Sequence, residues 1–278
     1  MPLALQRPAH RPLIIAHRGF RACFPENTPL SFAQSLGRCD MIELDVRLSR
    51  DDQVVVFHDE DLSRTSDAPQ VAAKLGKTSL ALRDWSLEEL RLLDLGFWFL
   101  RDDPFGSLAD GRVAAEQIRP HLPQRIATLA EVLDWCVHHQ LPVNIEVKDL
   151  GREIDTFHLA EAVVALVRQT QSEHLVLLSS FVHAALLHCH RLAPEIATAA
   201  LQEGAHLADV PTSLLHLGVS AYHPQDALVD ASLIKSLAAV GLCVNVFTVN
   251  DARRIAQLAA WGVNGVFTDF PSLDHPGR

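Results

Sequence analysis

A chain of 278 residues that is 48% hydrophobic can bury a large core, as one large domain or two small ones. Its formal net charge of −10 argues against a general nucleic-acid or anionic-membrane surface, so an anionic ligand would need a locally positive site. The five cysteines (Cys23, Cys39, Cys136, Cys189 and Cys243) are scattered without paired spacing, residues 1–12 lack the apolar stretch of a signal peptide, and no apolar run could span a bilayer; together these favour a cytoplasmic protein.

Apolar runs of strand length fall at 13–16, 41–46, 54–57, 143–147, 175–178, 196–201, 219–222, 243–247 and 263–267. Near-continuous Leu, Ile and Val suit strands buried on both faces of a parallel sheet. Amphipathic stretches such as 154–168 and 252–261 separate them, and this alternation predicts a (β/α)8 barrel, with an open doubly wound sheet as the second choice. No G-x-G-x-x-G follows the first strand, which weakens the nucleotide-binding alternative.

The first run ends in His17-Arg18-Gly19. Next comes Pro25-Glu26-Asn27-Thr28-Pro29, where Thr28 suits a helix N-cap and Pro29 the first helical position. Glu26 and Asn27 are open to two roles, loop fixation and substrate contact; we assign Glu26 to the first and Asn27 to the second. The runs at 41–48 and 53–57 are separated only by Ser49-Arg50-Asp51-Asp52, too short for a crossover helix, so a β-hairpin is expected. A turn centred there sets His58 opposite Glu43.

Residues 60–122 break the rhythm and read as an insertion on the face that carries the active site. Within them Ser86–Glu89 resembles a capping box, and a second box, Thr128 to Glu131, marks where the rhythm resumes. No repeat or low-complexity tract appears.

Glu43 and Asp45, two apart on one strand, point to the same side at about 6–7 Å along the chain. Burying such a pair is costly unless a cation neutralises it. Glu146 and Lys148 repeat the spacing on another strand. A single pair of this kind is ordinarily a solvated or salt-bridged strand end. Three carboxylates without a histidine or cysteine among them favour one hard divalent cation, Mg²⁺ or Ca²⁺, over Zn²⁺. His17 and His58 each follow a strand directly, where a barrel places its catalytic groups, and a histidine pair can serve as base and acid in one displacement. Arg18 offers a planar, permanently charged fork for phosphate oxygens, with Lys148 as a second cation. Phe247, at the end of the eighth strand, either walls the pocket or fills the core; we count it with the substrate contacts.

At this point the chain resembles the glycerophosphodiester phosphodiesterase family. The likeness rests on collinear motifs: AHRG at 16–19, PENT at 25–28, IELD at 42–45, FHDEDLSRTS at 57–66, GFWF at 96–99, NIEVK at 144–148, LLSSF at 177–181, FTVND at 247–251 and WGVNGVFTD at 261–269. The resemblance implies one barrel domain over 1–278 with a small insertion after the His-Asp motif. It also implies metal-dependent hydrolysis of a small glycerophosphodiester to glycerol 3-phosphate and an alcohol. Glu43, Asp45 and Glu146 would then hold the metal, His17 and His58 form the acid–base pair, and Arg18 and Lys148 hold the phosphate. In such enzymes the glycerol 2-hydroxyl is thought to attack phosphorus first, giving a cyclic phosphate that water opens. The sequence departs from the family pattern at Asp52, Pro29, Ala127 and Phe247, which touch turns and the pocket wall. Two rivals stand beside this reading: a cyclising lyase acting on a lipid phosphodiester, and a non-catalytic barrel that binds phosphodiesters. No stable membrane insertion is expected, and a homo-oligomer is compatible with the sequence.

Overall fold

Alternation along the strands sorts their side chains into an inner and an outer shell. The structure, a computed structural model, describes residues 3–273. Its strands are β1 (Leu13–Ala16), β2 (Met41–Leu48), β3 (Val54–Val56), β4 (Val143–Val147), β5 (Val176–Ser180), β6 (Ala197–Gln202), β7 (Ala221–Pro224), β8 (Cys243–Val246) and β9 (Gly265–Thr268). Eight lie parallel in the order β1-β9-β8-β7-β6-β5-β4-β2, and pairing of β1 with β2 closes the ring. This is the expected (β/α)8 barrel; β3 is the ninth strand, antiparallel to β2 and outside the ring.

On β2, Ile42, Leu44, Val46 and Leu48 join the apolar layer between barrel and helices, with Ile145 and Val147 of β4. The alternate residues face inward, and the inner shell changes character along the strands. At the strand starts it is apolar, built from Leu13, Ile15, Met41, Leu177, Ala197 and Ala221. Ala4 and Leu5, from a single 3-10 turn at Leu3–Leu5, pack into that end and seal it. Each such buried leucine contributes about 1.5–3 kcal/mol. At the strand ends the inner shell is polar. A chemistry-bearing floor thus stands on an apolar plug, at the C-terminal mouth where barrels of this type place their sites.

The helices follow in chain order: α1 (Pro29–Ala33), α2 (Ala68–Leu75), α3 (Leu87–Leu90), α4 (Phe97–Asp102), α5 (Ala115–Ile118), α6 (Leu129–His139), α7 (Glu153–Gln169), α8 (His183–Leu192), α9 (Val210–Leu217), α10 (Ala231–Ala239) and α11 (Ala252–Trp261). All three expected start signals operate: Thr28, Ser86 and Thr128 each accept the N3 amide in a capping box. Helices α2 to α5 occupy the irregular stretch after β3. They build two apolar clusters of their own, one around Trp85 with Leu62, Leu82 and Leu90, the other joining Trp98 and Phe99 to Phe24 and Leu30 of the β1–α1 region.

The hairpin register differs by one residue from the expectation. Val46 pairs with Val56 and Leu48 with Val54, a register that would run on to Phe57 beside Asp45 and does not bring His58 opposite Glu43; the Phe57 amide donates to the Asp45 carbonyl at 2.9 Å. The cause is the turn. Ser49 N–H donates to the Gln53 carbonyl at 3.0 Å, which leaves a three-residue loop centred on Asp51 in place of the four-residue turn expected. Asp52 closes it at φ +55°, the left-handed position such loops require and one that aspartate tolerates. His58 therefore leaves the ladder beyond its last pair, and is held instead through Arg47, whose Nε donates to the His58 carbonyl at 2.8 Å.

Candidate active site

The polar floor assembles from period-two positions on β2 and β4. Above inward-facing Met41 come Glu43 and Asp45; above Asn144 come Glu146 and, just past the strand, Lys148. Strand pairing sets Asp45 beside Glu146, and one carboxylate oxygen from each of Glu43, Asp45 and Glu146 lies within 4.8 Å of the others. All three were expected there. Burial raises the Glu43 and Glu146 pKa values, and the neighbouring carboxylates push them further. Asp45 behaves oppositely: burial works against its charge, but Lys148 and Arg18 outweigh it and hold the group far below the carboxylate range. Lys148 Nζ sits 2.6 Å from Glu146 and 3.3 Å from Asp45, and Arg18 Nε 3.2 Å from Asp45. Two cations facing three carboxylates leave a negative remainder, set in an all-oxygen donor group. That is the chemistry of a hard divalent ion, and the residues fit one.

Both histidines stand at this mouth, each backed by an aspartate. His17 Nδ1 lies 2.8 Å from Asp269 Oδ1, and Asn250 Nδ2 holds the other Asp269 oxygen at 2.7 Å. His58 Nδ1 lies 2.5 Å from Asp59 Oδ1. An aspartate at Nδ1 selects the tautomer with its proton there, leaving Nε2 free as a base. Burial is the largest influence on His17 and pushes its pKa down, with Arg18 and Arg21 adding to this against the pull of Asp269.

A cavity of about 420 Å³ opens above the floor. His17, Arg18, Glu43 and His58 line one side, with Glu146 and Lys148 next to them. The facing wall is largely apolar, from Phe181, Leu201, Phe247 and Phe267, with Glu203 at its edge. Phe247 thus lies on the cavity wall, packed edge to face against Phe181. Asn27, expected as a substrate contact, is not among the residues that line the cavity. It is buried, with Nδ2 donating to Asp45 Oδ2 at 2.8 Å and Oδ1 accepting the Asp45 amide at 3.4 Å. Its φ of +54° aims the side chain at β2, so it braces Asp45.

Four side chains of the site were not singled out from sequence: Asp59, Asp269, Arg21 and Arg64. Asp59 carried a usable signal, since it adjoins His58. Asp269 carried another, a carboxylate directly after the last strand. Arg64 lay within the FHDEDLSRTS motif at 57–66, while Arg21 carried no signal, because it sits in a loop whose path only the folded chain defines.

A sequence profile of the glycerophosphoryl diester phosphodiesterase family matches residues 17–273. The chain belongs to this family. A glycerophosphodiester phosphodiesterase of Bacillus altitudinis is 32% identical over 263 residues, covering 93% of this chain and 94% of its own. Among solved structures, an Oleispira antarctica phosphodiesterase in complex with the product sn-glycerol-3-phosphate superposes with a TM-score of 0.78 at 28% identity, covering 94% of each chain. A glycerophosphodiester phosphodiesterase from Agrobacterium tumefaciens shares the fold at a TM-score of 0.69 and 23% identity, over 94% of this chain and 97% of its own. Membership makes the chain a phosphodiesterase, and its match begins at His17, the first residue of the polar mouth.

Proposed function

We propose that this phosphodiesterase hydrolyses glycerophosphodiesters to glycerol 3-phosphate and an alcohol, with His17 and His58 as its acid–base pair. The observation that carries the reading is the pair of aspartate-backed imidazoles on one cavity, beside a three-carboxylate cluster. Glu43, Asp45 and Glu146 would hold Mg²⁺ or Ca²⁺, which supplies positive charge against the phosphate oxygens when bound. Lys148 donates one N–H to Glu146 and pairs with Asp45 by charge alone, which leaves N–H groups for the substrate phosphate, while Arg18 presents a fixed charge beside it. His17, kept neutral by burial, takes the proton of the attacking hydroxyl through Nε2; His58, protonated, gives one to the departing oxygen. Water then completes the hydrolysis with the roles exchanged. The five cysteines, all buried and unpaired, support a reducing cytoplasmic location.

The test is glycerol 3-phosphate release from glycerophosphocholine and glycerophosphoethanolamine, coupled to a dehydrogenase. Release should stop after EDTA and return with Mg²⁺ or Ca²⁺. His17→Ala and His58→Ala should each lose on the order of 10²–10⁴ in kcat while melting as the wild type does. Near wild-type turnover in either variant would sink the scheme, and a cyclic phosphate as final product would make the enzyme a lyase.

A further inference from the structure

The Glu26 carboxylate is buried at the centre of three arginines, Arg18 and Arg21 from its own β1–α1 loop and Arg64 from the stretch after β3. Arg18 Nη1 donates to Glu26 Oε1 at 2.9 Å, Arg64 Nη2 to the same oxygen at 2.7 Å, and Arg21 Nη2 pairs with Oε2 at 3.0 Å. Each arginine reaches onward to a different aspartate. Arg18 Nε lies 3.2 Å from Asp45. Arg21 Nη1 lies 3.7 Å from Asp269 Oδ1, the oxygen that holds His17. Arg64 Nε donates at 2.5 Å to Asp59 Oδ2, whose other oxygen holds His58. The three arms therefore end on the carboxylate cluster and on both imidazoles.

Resting on the acid–base reading above, we propose that Glu26 is a positioning residue that couples the two histidine–aspartate pairs and the carboxylate floor into one rigid unit. The physical argument is charge balance. Arg18 and Arg21 are largely buried, with side chains 12% and 18% exposed, and like charges brought this close repel unless a shared anion sits between them. Burial works against the Glu26 charge, yet the arginines outweigh it and hold its pKa at about 2, so the anion is present throughout the working pH range. With the charge gone, the arginines separate, and each takes its aspartate away from the geometry that sets an imidazole. A shift of about 1 Å at either imidazole can cost about 100-fold in rate. Glu26 touches neither histidine, so its effect passes through the arginines, by way of the aspartates and of Arg21 Nη1, which lies 3.4 Å from His17 Nδ1.

The connection is tested on the full-length enzyme by kinetic cycles among Glu26→Gln, Arg21→Gln and Arg64→Gln. Arg21→Gln and Arg64→Gln should each lower kcat by about 10- to 100-fold with KM changed less than about threefold, since the imidazoles shift while Arg18 and the apolar wall stay; Glu26→Gln should lower kcat as much and raise KM as well, because it also frees Arg18. The Glu26→Gln/Arg64→Gln double variant should be no slower than the worse single, because both break one connected arm. If Glu26→Gln does not fold, Arg21→Gln and Arg64→Gln carry the test on the intact carboxylate: Arg64 is 44% exposed and its loss leaves little buried. Their combined loss should then fall well short of the product of the two. Wild-type kcat in Glu26→Gln, a loss confined to KM, or strict multiplication of the Arg21 and Arg64 losses would overturn the proposal. These outcomes separate from failure of the parent reading, which shows as retained turnover in His17→Ala or His58→Ala.

Discussion

At the residue scale, the acid–base roles proposed for His17 and His58 depend on which ring nitrogen carries the proton. Asp269 accepts at His17 Nδ1 with one oxygen and holds Asn250 Nδ2 with the other. In Asp269→Asn the side-chain oxygen would stay on Asn250, turning the amide N–H groups towards His17. That arrangement stabilises the imidazole with its proton on Nε2, where it cannot act as a base. The expected result is a fall in kcat on the order of 10²–10⁴ with little change in KM, read by steady-state kinetics beside a melting curve. A loss of less than about threefold would show that the tautomer does not matter. This partnership was out of reach of the sequence. His17 and Asp269 are 252 residues apart, and only closure of the ring, with β9 beside β1 and the His17 amide on the Thr268 carbonyl at 3.0 Å, brings them together. Glu43, Asp45 and Glu146 were legible because their spacing is local to two strands and repeated on both.

At the element scale, the site hangs on two short connections whose backbone sets the side chains. The turn after β1 passes through Arg18 at φ +53° and Gly19 at φ +79° before meeting α1. Ser31, inside α1, seals that junction by donating Oγ to the Arg18 carbonyl at 3.1 Å. A β-carbon on Gly19 would lie 2.5 Å from Ser31 Oγ and 2.8 Å from the Ser31 backbone carbon. Neither can yield without moving the helix that Thr28 caps. Gly19→Ala should therefore cost about 2–4 kcal/mol, from the left-handed backbone plus overpacking, and should slow turnover because the same turn carries His17 and Arg18. Urea unfolding gives the stability; an unchanged midpoint would mean the junction opens without strain. The second connection is the β2–β3 hairpin. Its existence was legible from four polar residues between two apolar runs, whereas its register was not. One residue more or fewer in the loop shifts every pair, and that choice rests on Asp52 adopting a left-handed conformation and on the Ser49–Gln53 bond.

For the whole molecule, the barrel was legible because its strands are mostly apolar on the outer face and, at their starts, on the inner face. It was least legible where the inner face turns polar. The expected seventh strand stopped at 222, but β7 runs Ala221–Pro224 and carries His223 into the barrel, fully buried and hydrogen-bonded through Nε2 to Asn245 Nδ2 at 3.0 Å. Burial lowers its pKa to about 3, against about 6.5 in an unfolded chain. Between these values the unfolded state binds a proton that the folded state refuses. Stability is therefore undiminished above about pH 6.5 and falls as pH drops through the window, by up to about 1.4 kcal/mol per pH unit. Glu43 and Glu146 act in the opposite sense, because their raised pKa values let the folded state take up protons first. Comparison with His223→Gln, which offers Asn245 an acceptor but does not titrate, cancels those terms. From pH 6.5 to pH 5, measured by urea unfolding in EDTA, the variant should gain about 1.6 kcal/mol on the wild type. Parallel curves across that range would mean that His223 takes its proton inside the barrel, through an opening of the polar inner shell that leaves the fold intact.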